Sequence, residues 1–81
     1  MLQFNHFNFN VLDLERSLAF YRQALELETV REKTARDGSF RLVYLGDGET
    51  GFLLELTWLR SRTEPYDLGE QEFHLAFRTD R

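Results

Sequence analysis

The sequence has no cysteine and a single proline in 81 residues. The first absence excludes disulfides, thiolate metal centres and a cysteine nucleophile. No run of about 18 apolar residues occurs, which argues against a membrane-spanning helix. The opening MLQFNHFNFN has no basic segment followed by an apolar stretch, so no signal peptide is expected. Basic residues are also short: ten against fourteen acidic ones give a net charge of -4 and a pI near 5.1. Such a charge repels phosphate backbones and anionic lipid, so neither nucleic acid nor a membrane is an expected partner, and the expected location is the cytoplasm. What is present is the composition of a folded chain, 42% hydrophobic and 15% aromatic. A domain this small buries only about 60% of the surface its unfolded chain exposes, so its core is thin. Without disulfides, the remaining supports are a metal held by histidine and carboxylate, or a partner subunit.

Residues 4–11 alternate, with Phe4, His6, Asn8 and Asn10 on one side and Asn5, Phe7, Phe9 and Val11 on the other. Period two predicts a half-buried strand. Asp13 stands at an N-cap position before LERSLAFYRQALEL, where Leu14, Leu18, Tyr21 and Leu25 recur at helical spacing and Arg16, Arg22, Gln23 and Glu26 face solvent. Residues 27–35 read as a weak strand, Asp37-Gly38 as a turn, and SFRLVYL as its hairpin partner. GDGETG has neither the glycine spacing of a dinucleotide fingerprint nor the lysine of a P-loop, and reads as another reversal before the strand FLLELTW. In that strand Leu54, Leu56 and Trp58 share one face, and Glu55 projects to the other. The expected organisation is α+β: a first βαβββ module over residues 1–58, a polar linker loop over 59–72, and over 73–81 the opening strand of a second module.

That last expectation rests on an internal echo. NHFNFNVLD and FHLAFRTD each carry a histidine, a phenylalanine three residues on and an aspartate at the strand's end. The echo singles out His6 and His74, the two histidines of the chain, and Glu55 joins them as a third potential ligand on the polar face of a strand. Imidazole and carboxylate suit divalent ions such as Zn, Ni, Co or Fe(II). The three are far apart in sequence, and a histidine on a strand is more often a hydrogen-bonded residue than a ligand, so spacing leaves both readings open.

HFNFNVLDLERSLAFYRQALEL resembles the opening of glyoxalase I, the lactoylglutathione lyase of the vicinal oxygen chelate superfamily: a histidine on the first strand, the D-L-x-x-S helix start at Asp13, Leu14 and Ser17, and Phe20-Tyr21. LLELTW resembles that family's glutamate strand, YDLG at Tyr66 to Gly69 its loop, and FHLAF its second histidine strand. The resemblance implies paired βαβββ modules around a divalent ion held by two histidines and two glutamates, of which His6, Glu55 and His74 match three. It implies isomerisation of the hemithioacetal of methylglyoxal and a thiol such as glutathione to the S-lactoyl thioester; the family's base is its fourth ligand, which no glutamate here matches, and Glu55 is the candidate catalytic carboxylate of this sequence. It also implies a homodimer with the site between subunits, and the compact module resembles the branch that prefers Ni or Co over Zn. Where bacterial relatives place an arginine for a glutathione carboxylate, this sequence has Asn10; where an asparagine follows the glutamate strand, it has Leu59. Asn10 and Arg60 are therefore the candidate substrate-binding residues. The alternatives within the fold are a bleomycin-type binding protein, another metal-dependent vicinal oxygen chelate enzyme, or a half-module that completes its sheet by exchanging strands with a partner.

Overall fold

The computed structural model describes residues 1–80. Its elements are β1 (His6–Val11), α1 (Leu14–Leu25), β2 (Glu28–Thr34), β3 (Phe40–Gly46) and β4 (Leu53–Leu59). They form one four-stranded sheet in the order β1-β4-β3-β2, with β1 parallel to β4 and the other pairs antiparallel. This is the expected α+β module: the parallel pair needs a long crossover, which α1 and the β2–β3 hairpin supply.

The helix begins where expected. Asp13 is extended and its carboxylate accepts the Arg16 N–H at 3.1 Å, satisfying a donor that the first turn leaves free. It ends at Glu26, which takes the left-handed conformation (φ 58°), while the Glu26 and Leu27 N–H groups donate back to the Arg22 and Tyr21 carbonyls. Leu14 and Leu18 are buried and Tyr21 and Leu25 half-buried against the sheet, where they meet Val43, Leu45, Leu54 and Leu56. Burial pushes the Tyr21 phenol above its ordinary pKa, so it is neutral near pH 7.

Both hairpin turns are organised by an aspartate. Asp37 accepts the Ser39 N–H at 3.0 Å beside Gly38 (φ 75°). Asp47 accepts the N–H groups of Glu49 and Thr50 and the Thr50 hydroxyl at 2.8–2.9 Å. These bonds hold both carboxyl groups below the usual aspartate range.

Two features depart from the sequence reading. The strand expected over residues 73–81 is not formed among the described residues 73–80, and residue 81 lies outside the described part. Alternation assigns faces, but a strand exists only where its N–H and C=O groups find a ladder, and this segment pairs with none of the four strands. It is tied to the module by side chains instead: the Phe73 ring lies 5.9 Å from that of Phe7, and Leu75 rests on the core. The second departure is a bulge in β2. Thr29 pairs with Leu45 and Arg31 with Tyr44, so Val30 is the extra residue.

Candidate functional site

With α1 covering one face of the sheet, the other face carries the chemistry. Side chains alternate along each strand, so the core residues Phe9, Val11, Val43, Leu45, Leu54 and Leu56 send His6, Asn8, Asn10, Leu42, Tyr44, Glu55 and Thr57 to the opposite side. Register then decides which of these meet. Asn8, Glu55 and Tyr44 form one row across β1, β4 and β3; Asn10, Thr57 and Leu42 form the next.

His6 and Glu55 converge, with Nε2 3.6 Å from Oε1. Among the described residues Glu55 is the single charged one that is buried, at 9% exposure, which marks it as more than a solubilising surface acid. His6 Nδ1 lies 2.5 Å from Asn5 Oδ1 and, as the donor there, leaves the Nε2 lone pair toward Glu55. The His6 ring stands edge-on to Tyr44, centroids 5.5 Å apart. On the other flank, the Asn8 amide oriented to match donors with acceptors places its nitrogen 3.2 Å from Glu55 Oε1 and 2.5 Å from Thr57 Oγ1. The Asn10 amide lies 2.7 Å from that of Asn8, so this expected substrate residue belongs to the same polar row.

The other expected residues lie elsewhere. His74 is exposed on the segment 73–80, outside the sheet, and no group of three His, Cys, Asp or Glu side chains that could hold a metal forms among the described residues. Within this chain His74 thus stands apart from the His6–Glu55 pair. Arg60 is committed to the β2–β3 turn: its Nη1 donates to the Asp37 carbonyl at 2.7 Å, and its backbone N–H donates to Ser39. Three contributors were not picked out in sequence. Asn5 adjoins His6, and its amide could have been flagged as a histidine partner; Tyr44 and Arg31 reach this face through register and a bulge, which carry no local signal.

The profile of the Glyoxalase/Bleomycin resistance protein/Dioxygenase superfamily matches residues 3–81. The chain belongs to this family. Among this superfamily's curated members, lactoylglutathione lyase of Neisseria meningitidis serogroup A is 38% identical over 79 residues, covering 93% of this chain and 55% of that protein. Probable lactoylglutathione lyase of Synechocystis is 36% identical over 75 residues, covering 88% and 55%. Among solved structures, glyoxalase I from Zea mays superposes with a TM-score of 0.63 at 36% identity, over 73% of this chain and 22% of that one. The trypanothione-dependent glyoxalase I of Leishmania major gives 0.68 at 27% identity, over 83% and 50%. The chain spans about half the length of the curated relatives it matches. No helix among the described residues is long and apolar enough to cross a membrane.

Proposed function

We propose that this chain carries half of the active site of a metal-dependent lactoylglutathione lyase of the glyoxalase I type, and that it works as a homodimer in which His74 completes the site of the partner copy. The observation that carries the reading is the buried Glu55 carboxylate facing His6 Nε2 across 3.6 Å while His6 Nδ1 is engaged by Asn5. That pairing of an imidazole nitrogen with a buried carboxylate is a donor set for a divalent cation. Two donors each about 2.1 Å from a shared ion can stand at most about 4.2 Å apart, so the pair fits one ion. It supplies two protein ligands where catalytic sites use three, which is why a ligand from outside this module is part of the proposal.

The carboxylate and imidazole donor set suits Ni or Co, and also Zn. A divalent ion held there supplies the Lewis acidity that makes a carbon-bound proton beside two oxygens removable. The chain's own residues do the rest. Glu55 is the candidate to take that proton at a carboxylate oxygen and return it to the neighbouring carbon, completing the isomerisation of a 2-oxoaldehyde–thiol hemithioacetal to the thioester. Asn8 fixes the angle of the carboxylate through the Oε1 contact. Asn5 fixes the ring of His6. The Tyr44 ring closes the side toward β3.

The test is calorimetric titration of Ni²⁺ and Zn²⁺ into the chain and into His6→Ala, Glu55→Gln and His74→Ala, with thioester formation from methylglyoxal and glutathione as the activity readout. Binding by the parent that is lost in His6→Ala and Glu55→Gln is expected, as is a weaker site in His74→Ala. Equal, weak binding by all four proteins would remove the basis of the proposal, and a monomeric mass in solution would remove the dimer.

A further inference from the structure

The bulge in β2 decides which residues of that strand share a face with Glu55. In an unbroken ladder continuing from Thr29 opposite Leu45, Val30 would stand opposite Tyr44, and Arg31 opposite Val43 on the helix side. Because Val30 is extra, Arg31 pairs with Tyr44 and Lys33 with Leu42, and both cations move to the face of His6 and Glu55. The residue between them goes the other way: Glu32 approaches Arg41 at 3.8 Å, which also bonds Glu15 of α1 at 3.2 Å.

The displaced cations line a concavity of about 430 Å³ with Leu42, Tyr44 and Glu32, whose carboxylate is turned to Arg41. The Arg31 guanidinium lies over the Tyr44 ring, 4.4 Å from its centroid, and the same ring meets His6 edge-on. A continuous row therefore runs from Arg31 through Tyr44 to Glu55 across three strands. Neither Arg31 nor Lys33 has a carboxylate partner among the described residues. In a chain of net charge -4, two adjacent cations left unpaired on one concave face are directed at something anionic.

We propose that Arg31 and Lys33 form a carboxylate-binding subsite that holds the anionic end of the thiol cosubstrate while its sulfur end lies at the His6–Glu55 pair. This rests on the lyase reading of the face. The guanidinium offers a planar fork for a carboxylate, stacking on Tyr44 pre-orients it, and the ammonium of Lys33 adds a second charge one step along β2. It places recognition of the carboxylate on β2, whereas Asn10 of β1 is uncharged.

The experiment is an NMR titration of the ¹⁵N-labelled 81-residue chain with S-methylglutathione and with its diethyl ester, in which both carboxylates are masked. Saturable shifts centred on Arg31 and Lys33 are expected with the acid, and binding about tenfold or more weaker with the ester. Arg31→Gln and Lys33→Gln, both at exposed positions, should each weaken the acid toward the level of the ester and leave the ester unchanged. Equal binding of acid and ester, shifts centred elsewhere, parental binding by both variants, or no binding of the acid each overturns the subsite. The two proposals fail separately: acid binding at Arg31 and Lys33 with metal binding indifferent to His6→Ala defeats the lyase reading alone, and the reverse pattern defeats the subsite alone.

Discussion

Replacing Glu55 with glutamine separates a metal half-site from the fold that holds it, because its two expected effects have opposite signs. Without metal, the parent sets a buried carboxylate 3.6 Å from Nε2 of His6. Glutamine keeps the shape, removes the charge and offers an N–H to Nε2. A hydrogen bond contributes about 0.5–1.5 kcal/mol net, and in a domain of this size each kcal/mol moves the midpoint roughly 4–8 °C. The metal-free variant should thus melt at the parent's temperature or a few degrees above it. Metal reverses the order. With free Ni²⁺ about 100-fold above Kd, the parent gains about 2.7 kcal/mol, or roughly 11–22 °C by the same conversion. The variant, with one of two donors gone, should gain little. Far-UV circular dichroism melts of both proteins in EDTA and in Ni²⁺ read all four midpoints. A variant that melts more than about 10 °C below the parent in EDTA would show that the fold needs the charge. An equal Ni²⁺ gain in both proteins would place the metal elsewhere. Either result refutes the reasoning.

Three further outcomes are expected. Leu56 has 0% exposure at the centre of the core, so Leu56→Ala should cost about 2–5 kcal/mol in urea unfolding, enough to abolish most of the stability of a small domain. Asp47 has a folded-state pKa below its unfolded value, so its stabilisation is present above the ordinary aspartate range and lost as pH falls through the folded pKa; Asp47→Ala should lower the urea midpoint at pH 7, by an amount that shrinks as the pH is lowered into the acid range. Arg60→Ala removes the bond to the Asp37 carbonyl and should cost about 0.5–1.5 kcal/mol of stability, with Ni²⁺ affinity by calorimetry unchanged; a loss of affinity would return Arg60 to the site.

Much of this module can be read from sequence wherever an element's own pattern is strong. The 4-3-4 spacing of Leu14, Leu18, Tyr21 and Leu25 marks the helix face, Asp13 marks its start, and alternation places His6 and Glu55 on polar faces of their strands. That those faces coincide depends on the parallel pairing of β1 with β4, which no local pattern encodes. The sequence ETVREKT has little apolar content and no mark of the bulge at Val30, so the face of Arg31 follows only from the ladder. Residues 73–80 show the converse: their alternation is real, yet they join none of the four strands, and His74 stands apart from the His6–Glu55 pair. Arg60 was legible as a charge near the glutamate strand but not as a turn anchor, because its partner is a main-chain carbonyl.

The parallel pairing of β1 with β4 also bears on the order in which this module assembles. β2, β3 and β4 are successive antiparallel neighbours and can form from short turns. β1 joins them only after the chain between His6 and Glu55 has closed, a constraint whose entropic cost is about 3.5 kcal/mol for a segment of this length. The two donors of the metal pair are thus delivered by the most local and the most distant steps of folding. In a refolding time course, Ni²⁺ capture should follow recovery of the meander's far-UV signal, which makes the ion a clock for the arrival of the first strand.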